Sequence, residues 1–165
     1  MKPETITKQI FKIIPALLLV ALSAFLLQGD VWTFWTWYLL ALVMGVAAMP
    51  LTGRLFRRFQ DRGWMFSKVT AIAVSGFLTW FLVAVKIIKF TTGTCIVVTL
   101  VCAAASLILY CREQKAGFEC IPFVHLDLVY AEELLFFAAF LLWTYFAGFH
   151  PAAYGTEKFM DYGFM

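Results

Sequence analysis

The chain reads as an all-α protein, a polytopic transmembrane helical bundle of about five membrane-spanning helices with a cytoplasmic N-terminus. Three observations lead there. Of the 165 residues, 63% are hydrophobic and 14% charged, with a mean hydropathy of +0.86, which leaves too little polar surface for a soluble domain. Apolar runs long enough to cross a hydrocarbon core of about 30 Å recur along the sequence. The basic residues collect between alternate runs, the pattern that orients membrane proteins.

A basic leader carrying Lys2, Lys8 and Lys12 precedes the first span, near residues 10–28, which ends at Gln28-Gly29-Asp30. The small residues from Ala21 to Ala24 would suit a signal-peptide site. The apolar run goes on through Phe25-Leu26-Leu27, however, so an uncleaved helix is the better reading. The second span, 31–51, opens with Trp32, Trp35, Trp37 and Tyr38, amphipathic aromatics that mark a headgroup level, and stops at Pro50. The stretch TGRLFRRFQDRGW follows, with Arg54, Arg57, Arg58 and Arg62, as expected of a cytoplasmic loop. In the third span, 65–85, Lys68 is expected to snorkel back to the cytoplasmic face, and Lys86 and Lys89 to reach the other. Thr91-Thr92-Gly93 connects to the fourth span, 94–110. The polar linker CREQKAGFECIPFVHLD then leads to the segment 128–165, whose span runs to Phe149 and breaks at His150-Pro151. With this topology ten of the basic residues lie inside, and Lys86, Lys89 and Lys158 lie outside.

Small residues such as Gly45, Ala47, Ala48, Ser75 and Gly76 would let helices approach closely. Phe136, Phe137, Phe140 and Trp143 of the fifth span are expected to face lipid in this chain and later helices in a longer one. Cys95, Cys102, Cys111 and Cys120 fit no disulfide framework and read as free thiols; Cys111, Cys120 and His125 match no zinc spacing. Asp127 suits an N-cap. Glu132 and Glu133 fall in the first turn of the fifth span, where carboxylates favour the positive end of the macrodipole at interfacial depth. Ionisable groups thus keep to the span boundaries, which weighs against a transporter.

The polar tail YGTEKFMDYGFM differs from the rest. Glu157 and Asp161 are four residues apart, so one helical turn would direct both carboxylates the same way, with Lys158 beside them. Such a pair can act as a general base on a hydroxyl or help hold a divalent cation, but on spacing alone an ordinary solvated loop is the better reading.

The runs WYLLALVMGVAAMPLTGRLFRRFQDRGWMFSKV and FLTWFLVAVKIIKFTT, with AEELLFFAAFLLWTYF, the His-Pro break and GTEKFMDYGFM, resemble the uncharacterised YYY-type prokaryotic membrane proteins. Phe159 stands where that family's box usually has proline. The family in turn resembles the GT-C integral-membrane glycosyltransferases. The resemblance implies a longer parent, of which this chain is an N-terminal part and inactive alone, set in a prokaryotic plasma membrane. It implies a polyprenyl-phosphate-linked sugar donor, with Asp161 and Glu157 as the catalytic pair, Lys158 on the substrate phosphate, and a divalent cation as the candidate cofactor. The partners expected are membrane lipids and the parent's later transmembrane helices, with no nucleic acid. The alternative is a non-catalytic membrane scaffold.

Overall fold

The computed structural model describes residues 3–117 and 126–149, with side chains from residue 13 onward. Every regular element among them is helical: α1 Pro3–Leu27, a single 3-10 turn Gln28–Asp30, α2 Val31–Leu55, α3 Trp64–Ala84, α4 Thr92–Lys115 and α5 Leu126–Gly148. Three stretches are long and apolar enough to cross a membrane: Ile13–Leu55, Trp64–Ala84 and Thr92–Lys115. The first is 43 residues long and holds both α1 and α2, since one crossing takes about 20 residues. The protein is a helical membrane bundle.

The helices outlast the apolar runs at two places. α2 continues through Pro50 to Leu55, so Arg54 lies in its last turn and not in a loop. Proline is tolerated here as in other membrane helices, where neighbouring groups re-satisfy the freed carbonyl. α4 continues to Lys115 because Cys111-Arg112-Glu113-Gln114-Lys115 is rich in good helix formers, which keep the backbone helical after the hydrophobic stripe has ended. At the start of α5, Asp127 sits in the first turn of the helix and not before it.

The connections are set by local backbone chemistry. Between α2 and α3 the chain reverses through Arg62 at φ +52° and Gly63 at φ +76°. A Cβ on Gly63 would lie 2.6 Å from Phe56 Cδ2, so only glycine serves there. Phe56 is stacked on Phe66 at 5.1 Å. α3 closes in a Schellman arrangement: the Ile87 N–H donates to the Leu82 carbonyl at 3.0 Å and the Lys86 N–H to that of Val83 at 2.9 Å. The left-handed position, usually glycine, is taken by Lys86 at φ +61°, at a cost of roughly 1–2 kcal/mol. α4 starts at the N-cap Thr91, whose side chain accepts the Thr94 N–H at 3.2 Å.

The described residues divide into two compact units, one of residues 3–34 with 137–149 and the other of residues 35–117 with 126–136. In the first, Phe34 is buried edge-on to Phe137, centroids 5.4 Å apart, and stacked with Phe140 at 5.2 Å. Phe137 is therefore core and not lipid-facing, whereas Trp143 is 75% exposed as expected. In the second unit the buried positions are mostly small and hydroxylic: Ala48, Thr52, Ser67, Ser75, Thr79 and Ser106. Thr52, Ser67, Ser75 and Thr79 donate their hydroxyls to carbonyls one turn back, which satisfies them inside their own helices and leaves compact contact faces. Gly45 completes this packing. A Cβ there would come within 2.8 Å of Lys68 Cγ and 3.0 Å of Ser67 Oγ, so its absence lets α2 and α3 close together.

Candidate functional site: a buried ion-pair cluster

The tight approach at Gly45 encloses a charged side chain. Lys68, one turn into α3, is 2% exposed, and its Nζ donates to Glu133 Oε2 at 2.6 Å. It does not snorkel to the cytoplasmic face, because the bundle supplies a counter-charge inside. The same carboxylate accepts the Trp64 indole N–H at Oε2, 2.9 Å, and the Tyr38 hydroxyl at Oε1, 2.7 Å. One carboxylate thus takes three donors from two other helices, a satisfied arrangement of the kind a low-dielectric interior requires. The ammonium also lies over the rings of Phe136, 4.5 Å, and Trp64, 4.9 Å, both within cation–π range.

This geometry revises the depth read from the sequence. Glu133 lies two turns, roughly 10 Å, beyond the first residue of α5, and Tyr38 a similar distance beyond the first residue of α2. Tyr38 does not project into the headgroups with Trp32 and Trp37; it turns into the bundle and is 7% exposed. Neither carboxylate of Glu132-Glu133 is there to meet the helix dipole. Lys68 keeps to the end of its helix as expected, whereas Glu133 lies farther inside α5 than a first-turn position.

Glu132 faces a different neighbour. Its carboxyl lies against that of Asp61, which the α2–α3 connection folds inward to 6% exposure, and Glu132 Oε2 is buried with no donor from the protein. Lys68 is the nearby positive charge. Further along the same unit, Glu113 of α4 pairs with Arg54 at 3.0 Å and Arg57 at 3.1 Å, joining the ends of α2 and α4.

Among the described residues no group of three or more His, Cys, Asp or Glu side chains is disposed to hold a metal ion. Cys95, Cys102 and Cys111 are free thiols. The tail residues Glu157, Lys158 and Asp161 lie outside the described residues, as do Cys120 and His125. What the sequence reading missed is the long-range meeting of Tyr38, Trp64, Lys68 and Glu133. Its sequence signals are a lysine one turn into α3 and a glutamate two turns into α5, each in a mostly apolar helix.

Residues 74–165, more than half of the chain, match the family described as uncharacterized membrane protein (DUF2298). The chain belongs to this family. In this DUF2298 protein the matched region takes in the second half of α3, α4, α5 with Glu132 and Glu133, and the tail with Glu157, Lys158 and Asp161. Tyr38, Asp61, Trp64 and Lys68 precede it. No curated protein and no solved structure matches the DUF2298 chain.

Proposed function

We propose that this integral membrane protein is the N-terminal membrane part of a GT-C-like glycosyltransferase that takes sugar from a polyprenyl-phosphate carrier at the extracytoplasmic face of a prokaryotic plasma membrane. The observation that carries the reading is the anchoring of α5. Glu133 is held by three donors from α2 and α3, which fixes the first half of α5 within its own unit. The family match extends over that tail, which adds weight to its carboxylates. In this reading Asp161 acts as general base on the acceptor hydroxyl, Glu157 supports it, and Lys158 balances charge on the leaving lipid phosphate. A divalent cation held by Asp161 and Glu157 would supply further charge compensation at that phosphate.

The test is sugar transfer by the full-length protein from a polyprenyl-phosphate-linked donor. Asp161→Asn is expected to lower the rate by about 100-fold or more, the range for loss of a general base. An unchanged rate would sink the proposal. A non-catalytic membrane scaffold is the second reading, and one observation favours it: the Lys68–Glu133 cluster is engaged in packing, with Glu133 fully occupied by its donors. That reading expects no transfer in the parent and no effect of Asp161→Asn.

A further inference from the structure

A groove of about 340 Å³ runs along the α3–α4 hairpin at the opposite end of α3 from Lys68. Its α3 wall is formed by positions one face apart, Ile72, Ser75, Gly76, Thr79, Trp80 and Val83, and Cys95 and Thr99 of α4 close it. The hydroxyls in the wall are already bonded within their helices: Ser75 to Ala71 O at 2.8 Å, Thr79 to Ser75 O at 2.8 Å, Thr99 to Cys95 O at 2.8 Å. The groove therefore offers a hydrocarbon occupant an apolar wall and a polar ligand no free partner.

Its mouth has the opposite character. Phe90 and Val83 mark the end of the groove, and the connection between them carries Lys86 and Lys89, both exposed and without an ion pair among the described residues. α3 is 21 residues long, about the thickness of a hydrocarbon core, which puts these lysines at headgroup level. The first N–H groups of α4, beginning at Thr92, face the same level and favour negative charge. Lys86 holds the left-handed position that closes α3, where glycine would fit without strain. A strained lysine at the mouth of an apolar groove has a reason if its charge is used there.

We infer that this hairpin binds one anionic glycerophospholipid, with an acyl chain in the groove and the phosphate on Lys86 and Lys89. The complementarity is of two kinds on one ligand, an apolar chain at membrane depth and a negative group at headgroup depth. The site is independent of the tail and of any sugar transfer, so it stands or falls apart from the catalytic reading.

The experiment is native mass spectrometry of the full-length protein, released from detergent after incubation with phosphatidylglycerol or with phosphatidylcholine of the same acyl chains. The intact protein is expected to retain one phosphatidylglycerol, roughly tenfold in preference to phosphatidylcholine. Lys86→Gln with Lys89→Gln removes the preference. Gly76→Leu, whose new side chain has open space to enter, fills the groove and lowers retention of both lipids. Arg58→Gln, in the basic loop at the other end of α3, leaves retention unchanged. Equal retention of the two lipids by the intact protein overturns the inference, as does an unchanged preference in the double lysine variant or full retention by Gly76→Leu. An equal loss in Arg58→Gln shows general charge attraction and overturns it. A change of oligomeric mass in Gly76→Leu makes the groove a helix-docking face and overturns it too.

Discussion

Glu113 and Glu133 each accept more than one donor from distant parts of the chain, but the donors' surroundings are unlike. The arginines on Glu113 have side chains 53% and 51% exposed, whereas the lysine on Glu133 is 2% exposed and roofed by aromatic rings. Water can replace the first pair if it is broken. Nothing in the apolar surroundings can replace the second. Exposed pairs contribute about 0.2–1 kcal/mol, while removing one partner of a buried pair costs about 3–5 kcal/mol because the other charge is left stranded. The same chemistry is thus a surface clip at one site and a structural commitment at the other.

The widest gap should appear on truncation of the carboxylate that pairs with the buried lysine. Glu133→Ala leaves Lys68, Tyr38 and Trp64 without their acceptor, and unfolding in mixed detergent and denaturant should show a loss of about 3–5 kcal/mol. A transition equal to that of the parent would remove the distinction between the two sites. Pairing Lys68→Met with Glu133→Leu should return most of the lost stability, since replacing both charges by apolar groups is often neutral. If the double variant is as weak as Glu133→Ala, the Tyr38 and Trp64 bonds carry more of the energy than the ion pair does.

A smaller effect is expected at Gly45→Ala. The added methyl meets Lys68 Cγ at 2.8 Å and must push apart α2 and α3 or displace the lysine from Glu133, an overpacking cost of about 1–3 kcal/mol. The diagnostic is coupling. In a Lys68→Met, Glu133→Leu background the same glycine change should cost measurably less, and additive losses would show that the close approach does not serve the ion pair. The smallest change belongs to Glu113→Gln, less than about 1 kcal/mol at low salt and close to nothing at 1 M NaCl, because exposed charges are screened. A loss that ignores salt would mean that Glu113 is buried in the membrane-embedded protein.

The bundle was legible because its determinants are local. Apolar runs bounded by Gln28-Gly29-Asp30, the arginine-rich stretch at Arg54–Arg62 and Thr91-Thr92-Gly93 place α1 to α4 to within a turn or so, apart from the early start of α1 at Pro3 and the extensions past Pro50 and Tyr110. Those extensions were hidden because hydropathy tracks the membrane, and the helix obeys hydrogen bonding and propensity. The cluster was not legible for a different reason. Lys68 and Glu133 are 65 residues apart, and Tyr38 and Glu133 95, so no spacing rule connects them. A lone lysine near a helix end has a default reading, snorkelling, that only a three-dimensional partner can cancel. The tail pair Glu157 and Asp161 remains a reading from spacing and resemblance, since those residues lie outside the described structure.

The separation of Lys68 from Glu133 also bears on how the protein is made. During synthesis α3 reaches the membrane well before α5 has emerged, so its lysine, one turn from the end of the helix, enters without a counter-ion, at a cost below the roughly 2.5–3.5 kcal/mol of a helix centre. Only the arrival of the last described helix neutralises it. An unfinished chain therefore carries an uncompensated charge within the lipid, a chemical mark by which insertion machinery and membrane proteases can tell it from a finished one.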